Sequence, residues 1–331
     1  MLCYIGAVDP VPSCSDECAK LGRVRSLVTG GAGFIGSHLT EELRARGDDV
    51  VAVDSFTDYY DPARKRENAR GLDVLEHDLE TADLDLLIGS VDRVFHLAGQ
   101  PGVRKSFGPT FELYVRRNVL VTARVFEAAA RHGIRVAYAS SSSVYGDAEA
   151  YPTPEDAQPR PISPYGVTKR CCEDLAYAYA STAALDAVGL RYFTVYGPRQ
   201  RPDMAFTRML EALASGDAFP LYGDGSASRS FTYIDDAVSG TIAAMEQGKT
   251  GVIYNIGGGE EAAMTEVFAL AERISGRALR IERMDAAAGD VRRTRADGTR
   301  AAAHLGWKPS TPLDRGLAEH WRWVADRVAV G

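Results

Sequence analysis

Tyr165 and Lys169 stand four residues apart in Ser163-Pro164-Tyr165-Gly166-Val167-Thr168-Lys169. Proline at a helix start sets the phase, and an i, i+4 pair shares one face. A free tyrosine titrates near ~10, and a neighbouring ammonium favours the phenolate, the form that acts as a general base. Taken alone, the pair reads equally as a surface helix contact. The run Ser140-Ser141-Ser142-Ser143-Val144-Tyr145-Gly146 adds weight, because it follows an apolar strand pattern and sets hydroxyls at a strand's carboxyl end. Ligands bind at that edge of doubly wound sheets.

A second constellation is Thr29-Gly30-Gly31-Ala32-Gly33-Phe34-Ile35-Gly36, between a strand and a helix. It reads as G-x-x-G-x-x-G (Gly30, Gly33, Gly36) or as G-x-G-x-x-G (Gly31, Gly33, Gly36). Glycine permits the tight turn and a close backbone approach to a pyrophosphate, which the N–H groups at the helix start then hold. Phe34 and Ile35 belong to that opening turn. Asp54 ends the next apolar run, 18 residues after Gly36. A carboxylate there accepts bonds from ribose hydroxyls and repels a 2′-phosphate, which points to NAD over NADP. Asp78-Leu79, after the third strand pattern, is placed to border the adenine.

Around these residues, strand and helix patterns alternate. Strands are expected at Ser26–Val28, Val50–Val53, Val74-Leu75, Val94–Leu97, Val136–Ala139 and Val188–Tyr192. Helices are expected after Phe34, at Phe111–Arg131 closed by Gly133, and at Tyr165–Ser181. Such alternation implies an α/β fold, a doubly wound parallel sheet with helices on both faces. After Tyr196 loops, shorter helices and prolines predict a smaller second domain. The expected division is an extension over 1–22 without fixed structure, a cofactor domain over 23–195 with a return near 228–256, and a mainly substrate-binding domain over 196–331.

The chain has 331 residues, 45% of them hydrophobic and 25% charged, with a formal net charge of −7. That length buries a core without disulfides or metals. The acidic balance disfavours nucleic acid and anionic membranes as partners, and no apolar run is long enough to span a bilayer. The five cysteines, Cys3, Cys14, Cys18, Cys171 and Cys172, are few and odd in number, so a reducing, cytoplasmic setting is expected. The six histidines make no ligand cluster, and no metal is expected.

With these motifs in place, the sequence from Arg25 onward resembles the extended short-chain dehydrogenase/reductases that act on nucleotide sugars. Further matches are His96-Leu97-Ala98-Gly99, Arg191 to Pro198, and Gly223-Asp224-Gly225 with Arg229. The resemblance implies a Rossmann-type domain with a smaller C-terminal α/β domain, bound NAD lined also by Leu97 and Ala98, and a UDP-sugar substrate. It also implies a homodimer built on the two long helices. Tyr165 would take the proton from the sugar 4-hydroxyl, Lys169 would assist it and hold the nicotinamide ribose, and Ser141 would bond the reacting oxygen.

Within the family, dehydratases carry an Asp-Glu pair and decarboxylases a Glu just before Val-Tyr-Gly, where this chain has Ser142 and Ser143. Without that carboxylate an elimination lacks its proton shuttle. The closest phrases, Pro101 to Arg104 and Phe193 to Ala205, resemble the UDP-glucuronate 4-epimerases. On that reading Ser142, Ser143 and Thr194 hold the sugar carboxylate, Arg104, Arg201 and Arg229 the diphosphate, and Tyr222 the uracil. The alternatives are a UDP-glucose/UDP-galactose 4-epimerase, a UDP-glucuronate decarboxylase, and a silent NAD-binding scaffold.

Overall fold

The computed structural model describes residues 22–285, 291 and 293–330. Apart from Gly22, the expected N-terminal extension lies outside the described residues, as do Cys3, Cys14 and Cys18. In chain order the elements are β1 (Arg25–Thr29), α1 (Phe34–Ala45), β2 (Asp49–Asp54), α2 (Pro62–Asn68), β3 (Val74–Glu76), β4 (Arg93–His96), α3 (Val121–His132), β5 (Arg135–Ser141), α4 (Pro164–Ala183) and β6 (Ala187–Tyr192). They continue with β7 (Thr194–Tyr196), α5 (Ala205–Ser215), β8 (Ala218–Tyr222), β9 (Ser228–Tyr233), α6 (Ile234–Gln247), β10 (Ile253–Ile256), β11 (Glu260–Ala263), α7 (Met264–Ser275), β12 (Arg280–Met284), β13 (Arg293–Thr294) and α8 (Leu313–Val330). Shorter helical segments lie between some of these.

A seven-stranded sheet runs β10-β6-β5-β4-β1-β2-β3, with every pairing parallel. Its central strands are apolar at successive positions because both faces are covered. Leu27, Val94 and Val136 pack with Phe126 of α3 and Cys172 of α4. Their neighbours Val28, Phe95 and Ala137 join Leu39 and Leu43 of α1 and Ile242 of α6 in the opposite core. That second core continues into the C-terminal half through Trp307, Leu313 and Val324. The strand order reverses beside β1, which leaves the carboxyl ends of β1, β2, β4 and β5 around one crevice.

The later strands form two small sheets: β9 with β7, β11 and β13, and a parallel pair of β8 and β12. The chain returns to the main sheet through α6 and β10, while β9 stays in the four-stranded sheet.

One expected element differs in form. Residues 111–132 make a continuous helical path, but Val115–Leu120 widens into a π-turn between Phe111–Tyr114 and α3. The wider turn brings in Asn118, 1% exposed, whose amide accepts from Gln100 N (2.7 Å) and donates to Gln100 O (3.1 Å) and Thr168 Oγ1 (3.0 Å). Apolar periodicity carries no sign of such a bulge. Among the described residues no helix is long and apolar enough to cross a membrane.

Candidate active site

The glycine turn leaves β1 with Gly30 at φ +73°, a left-handed conformation that glycine adopts without strain. Gly30 N and Gly31 N both donate to Val53 O, at 2.8 and 3.0 Å, tying the turn to β2. A Cβ on Gly36 would lie 2.0 Å from Gly30 O, so only glycine lets α1 start this close to the turn. Gly33 caps α1 with no side-chain bond to the first N–H groups. A helix N-terminus left open in this way binds anions.

Asp54, at the carboxyl end of β2, is 6% exposed. Its Oδ2 accepts from Ala32 N (3.2 Å), and its Oδ1 accepts from Phe56 N (2.8 Å) and from Lys65 Nζ of α2 (2.9 Å). Lys65 was invisible to motif reading, because its meeting with Asp54 depends on how α2 packs. Asp78 and Leu79 line the same cleft, and the Arg124 guanidinium of α3 bonds the Leu79 carbonyl oxygen.

On the other side of the cleft, Ser163 caps α4 by accepting from Gly166 N at 3.1 Å, with Pro164 in the first turn. This start places Tyr165 and Lys169 on the helix face toward β5. Lys169 Nζ donates to Ala139 O at 2.9 Å, and Tyr165 N donates to Ser106 Oγ at 3.1 Å. The Tyr165 ring meets Tyr114 edge-on, centroids 6.3 Å apart. Ser141 Oγ accepts from Ser143 N at 3.1 Å as β5 turns into the next segment. His96 lies beneath, within hydrogen-bond distance of Thr29 Oγ1 (2.8 Å) and Thr122 Oγ1 (3.1 Å). Burial, and then the Lys169 charge, push its imidazole down to about 3, so it is a neutral bridge.

Arg201 lines the cleft as well. Its Nε and Nη2 donate to the two oxygens of Asp203, at 3.0 and 3.1 Å, and Tyr59 Oη donates to Asp203 Oδ2 at 3.1 Å. Burial works against the Asp203 charge, but Arg201 outweighs it and holds the carboxyl below its usual range. Motif reading did not find Tyr59 or Asp203 as a unit.

One continuous cleft is lined by Gly30, Gly33, Phe34, Ile35, Gly36, Asp54, Asp78, Leu79, Leu97, Ala98, Ser141, Tyr165, Lys169 and Arg201. Tyr59, Tyr60, Lys65, Gln100 and Arg117 line it too. Six other sequence candidates stand outside this lining. Ser142 and Ser143 form the turn directly after Ser141, and Thr194 opens β7. The Arg104 guanidinium stacks on the Tyr222 ring, 4.2 Å from its centroid. Arg229 donates to the carbonyl oxygens of Ser228 and Val291. Among the described residues no group of His, Cys, Asp or Glu is arranged to hold a metal.

This sheet, with its glycine turn, strand-end acid and Tyr–Lys pair on one cleft, defines a dinucleotide-binding α/β protein. The chain belongs to the NAD dependent epimerase/dehydratase family, whose model matches residues 26–257. A Bacillus subtilis (strain 168) relative, described as the uncharacterized UDP-glucose epimerase YtcB, is 41% identical, over 91% of this chain and 98% of its own. UDP-glucuronate 4-epimerase 3 of Arabidopsis thaliana is 35% identical, over 90% of this chain and 75% of its own. Among solved structures, the UDP-glucuronic acid 4-epimerase of Bacillus cereus, in complex with UDP-glucuronic acid and NAD, is similar with a TM-score of 0.89. It is 38% identical and covers 92% of this chain and 99% of its own.

Proposed function

We propose that this protein interconverts UDP-glucuronate and UDP-galacturonate, as an NAD-dependent 4-epimerase acting through a 4-keto sugar. The observation that carries it is the convergence of Ser141, Tyr165 and Lys169 on the cleft that also holds the glycine turn, with serines at 142 and 143. The B. cereus and A. thaliana relatives carry this activity in their names.

The residues fit NAD: the glycine cradle excludes a Cβ, and the start of α1 is open to phosphate oxygens. When bound, NAD supplies the reversible hydride acceptor for carbon 4. Gly30, Gly33, Phe34, Ile35 and Gly36 would hold the pyrophosphate. Asp54 would hold the adenosine ribose, Asp78 and Leu79 would border the adenine, and Leu97 and Ala98 would line the wall between. Tyr165 takes the 4-hydroxyl proton and later returns it, and Ser141 bonds that oxygen. Lys169 assists Tyr165 and would hold the second ribose. Between the two half-reactions the 4-keto sugar would turn over so that carbon 4 presents its opposite face, while Tyr165 returns the proton to the 4-oxygen.

The 4-keto intermediate is a β-keto acid and loses carbon dioxide when its carboxylate bond stands perpendicular to the carbonyl. Hydroxyls of Ser142, Ser143 and Thr194 hold the carboxylate out of that alignment, each bond contributing ~1.5–3 kcal/mol. Arg104, Arg201 and Arg229 serve the diphosphate, and Tyr222 the uracil. For this, Arg201 exchanges Asp203 for substrate.

Incubation with UDP-glucuronate tests the proposal. A product of equal mass and new retention supports it, and loss of carbon dioxide makes the protein a decarboxylase. Ser143→Ala and Thr194→Val are expected to release pentose product. A second reading, UDP-glucose 4-epimerisation, is favoured by the description of the B. subtilis relative and is decided by offering both substrates.

We further infer a homodimer. Phe111 and Leu120 on the 111–132 path and Val167 and Tyr177 on α4 are exposed apolar side chains, Tyr177 at 76%. Leu120→Glu is expected to halve the mass seen by light scattering. The 23–195 portion is read as the cofactor domain and 196–331 as the substrate domain, with α6 and β10 returning to the first. A cytoplasmic setting fits Cys171 and Cys172, free cysteines among the described residues, and fractionation of cells tests it.

A further inference from the structure

Beneath Tyr165, Lys169 and Ser141 lies a buried ion pair that none of these roles uses. Glu173 follows Lys169 by four residues on α4 and is 3% exposed; Arg191, on β6, is 2% exposed. Arg191 Nε donates to Glu173 Oε1 and Nη2 to Oε2, each at 2.8 Å, in a two-pronged fork. The Ser140 hydroxyl donates to the same Oε1 at 2.6 Å. Ser140 directly precedes Ser141, and the β5–β6 register sets it opposite Arg191.

The pair is bonded on its far side as well. Arg191 Nη1 donates to Tyr145 Oη (2.8 Å) and to Glu155 O (2.9 Å), with the guanidinium 4.6 Å from the Tyr145 ring centroid. Tyr145 Oη donates to Asn255 Oδ1 at 2.7 Å, and Asn255 N donates to Glu155 Oε1 at 2.9 Å. Glu173 Oε2 also accepts from Arg170 Nη1 at 3.3 Å, so both charges of the pair are bonded by further groups: Glu173 by Ser140 of β5 and Arg170, and Arg191 by Tyr145 and Glu155.

A buried ion pair adds little net stability compared with apolar side chains of similar size, because desolvation cancels most of the attraction. What it does impose is geometry. Apolar contacts such as Cys172 and Ala176 against the sheet tolerate a small slide of the helix. A fork of two 2.8 Å bonds plus a 2.6 Å bond to the strand does not. The Lys169 bond to Ala139 O depends on the same register, one residue nearer the amino end of β5.

We propose that Glu173 is a positioning residue: held by Arg191 and Ser140, it fixes how far along β5 the helix α4 sits. It thereby sets where Tyr165 and Lys169 stand relative to Ser141. The proposal rests on the reading of those three as the catalytic group. Misplacement of a reacting group by about 1 Å costs on the order of a hundredfold in rate, so the fork is a rate determinant rather than a binding one.

The test compares Ser140→Ala, Ser140→Thr, the double variant Glu173→Leu/Arg191→Met, and Tyr165→Phe, at equal concentrations of folded protein and with the UDP-sugar that the parent turns over. For Ser140→Ala, kcat is expected to fall roughly tenfold with KM within about twofold of the parent, and Ser140→Thr is expected to recover most of the rate. The double variant removes both charges together, which keeps an unpaired charge out of the core, and its kcat is expected to fall about a hundredfold. Parental kcat per folded molecule in Ser140→Ala, with only the melting temperature lowered, overturns the proposal by making the network purely structural. So does a loss of rate that appears in KM alone. Should the double variant fail to fold, the two Ser140 variants decide the question. A fully active Tyr165→Phe protein overturns the assignment of the catalytic group and this inference with it, whereas an inactive Tyr165→Phe beside an unaffected Ser140→Ala overturns the inference alone.

Discussion

The Lys169 ammonium donates to the carbonyl oxygen of Ala139, 2.9 Å away and two residues before Ser141. The bond joins the helix that carries Tyr165 to the strand that carries Ser141. Burial, and after it the same ammonium charge, oppose the protonation of His96.

If Tyr165 moves the 4-hydroxyl proton, Tyr165→Phe loses general acid–base catalysis, worth about 10²- to 10⁴-fold. Lys169→Met is expected to fall within the same range, because it removes both the charge beside the phenol and the anchor to Ala139. Initial rates with UDP-glucuronate check both. A Tyr165→Phe rate equal to the parent's would sink the mechanism.

At Gly36 the backbone leaves no room for a side chain. Gly36→Ala sets a Cβ 2.0 Å from Gly30 O, so the turn must open and its N–H groups leave their places. The purified variant is expected to carry little or no NAD, read from the absorbance of protein-free extracts. Retention of the parental amount would show that the turn does not hold the pyrophosphate.

The Lys65–Asp54 pair is nearly dry, with side chains 11% and 4% exposed. Lys65→Met leaves the Asp54 carboxylate with two backbone donors and no counter-charge, a change that costs about 3 kcal/mol when a buried pair is broken on one side. Urea unfolding measures that loss. Weaker NAD retention is expected to accompany it, since the same carboxylate faces the cleft.

Stability is expected to fall in acid because of the buried imidazoles of His96 and His320 and the half-buried one of His38. Burial, the largest cause in each, pushes His38 down to about 4 and His96 and His320 to about 3. The unfolded chain takes up these protons near pH 6.5, while the folded chain resists them until its own lower values are reached. The stability they contribute is thus fully present above pH 6.5 and is lost as pH falls toward about 3–4. Each contributes a slope of at most ~1.4 kcal/mol per pH unit, so the three together approach ~4. Urea midpoints measured from pH 7 to pH 4.5 test the sign, and a level profile over that range contradicts it.

Residues that act through the backbone or along one element were readable from the sequence. The glycine turn is legible because its spacing reports backbone contacts, and Tyr165 with Lys169 because a helix fixes which residues share a face. Asp54 and Asp78 follow from the rule that acids at strand ends face the crevice. Lys65, Asp203, Asn118 and Glu173 were not readable as part of the site. Each meets a partner on another element: Lys65 meets Asp54 from α2, Asp203 accepts from Tyr59, and Asn118 enters through a π-turn that apolar spacing does not record.

The order of residues along single strands and helices thus determined by itself the parallel α/β plan, the open amino end of α1 and the Tyr–Lys face, since these depend on local periodicity and backbone freedom. The tertiary structure decided which side chains are paired before any ligand arrives: Tyr59 with Asp203, Arg104 on Tyr222, Lys65 with Asp54 and Arg191 with Glu173. Such pairing and desolvation depend on distances between different elements, and only the packing of those elements sets them.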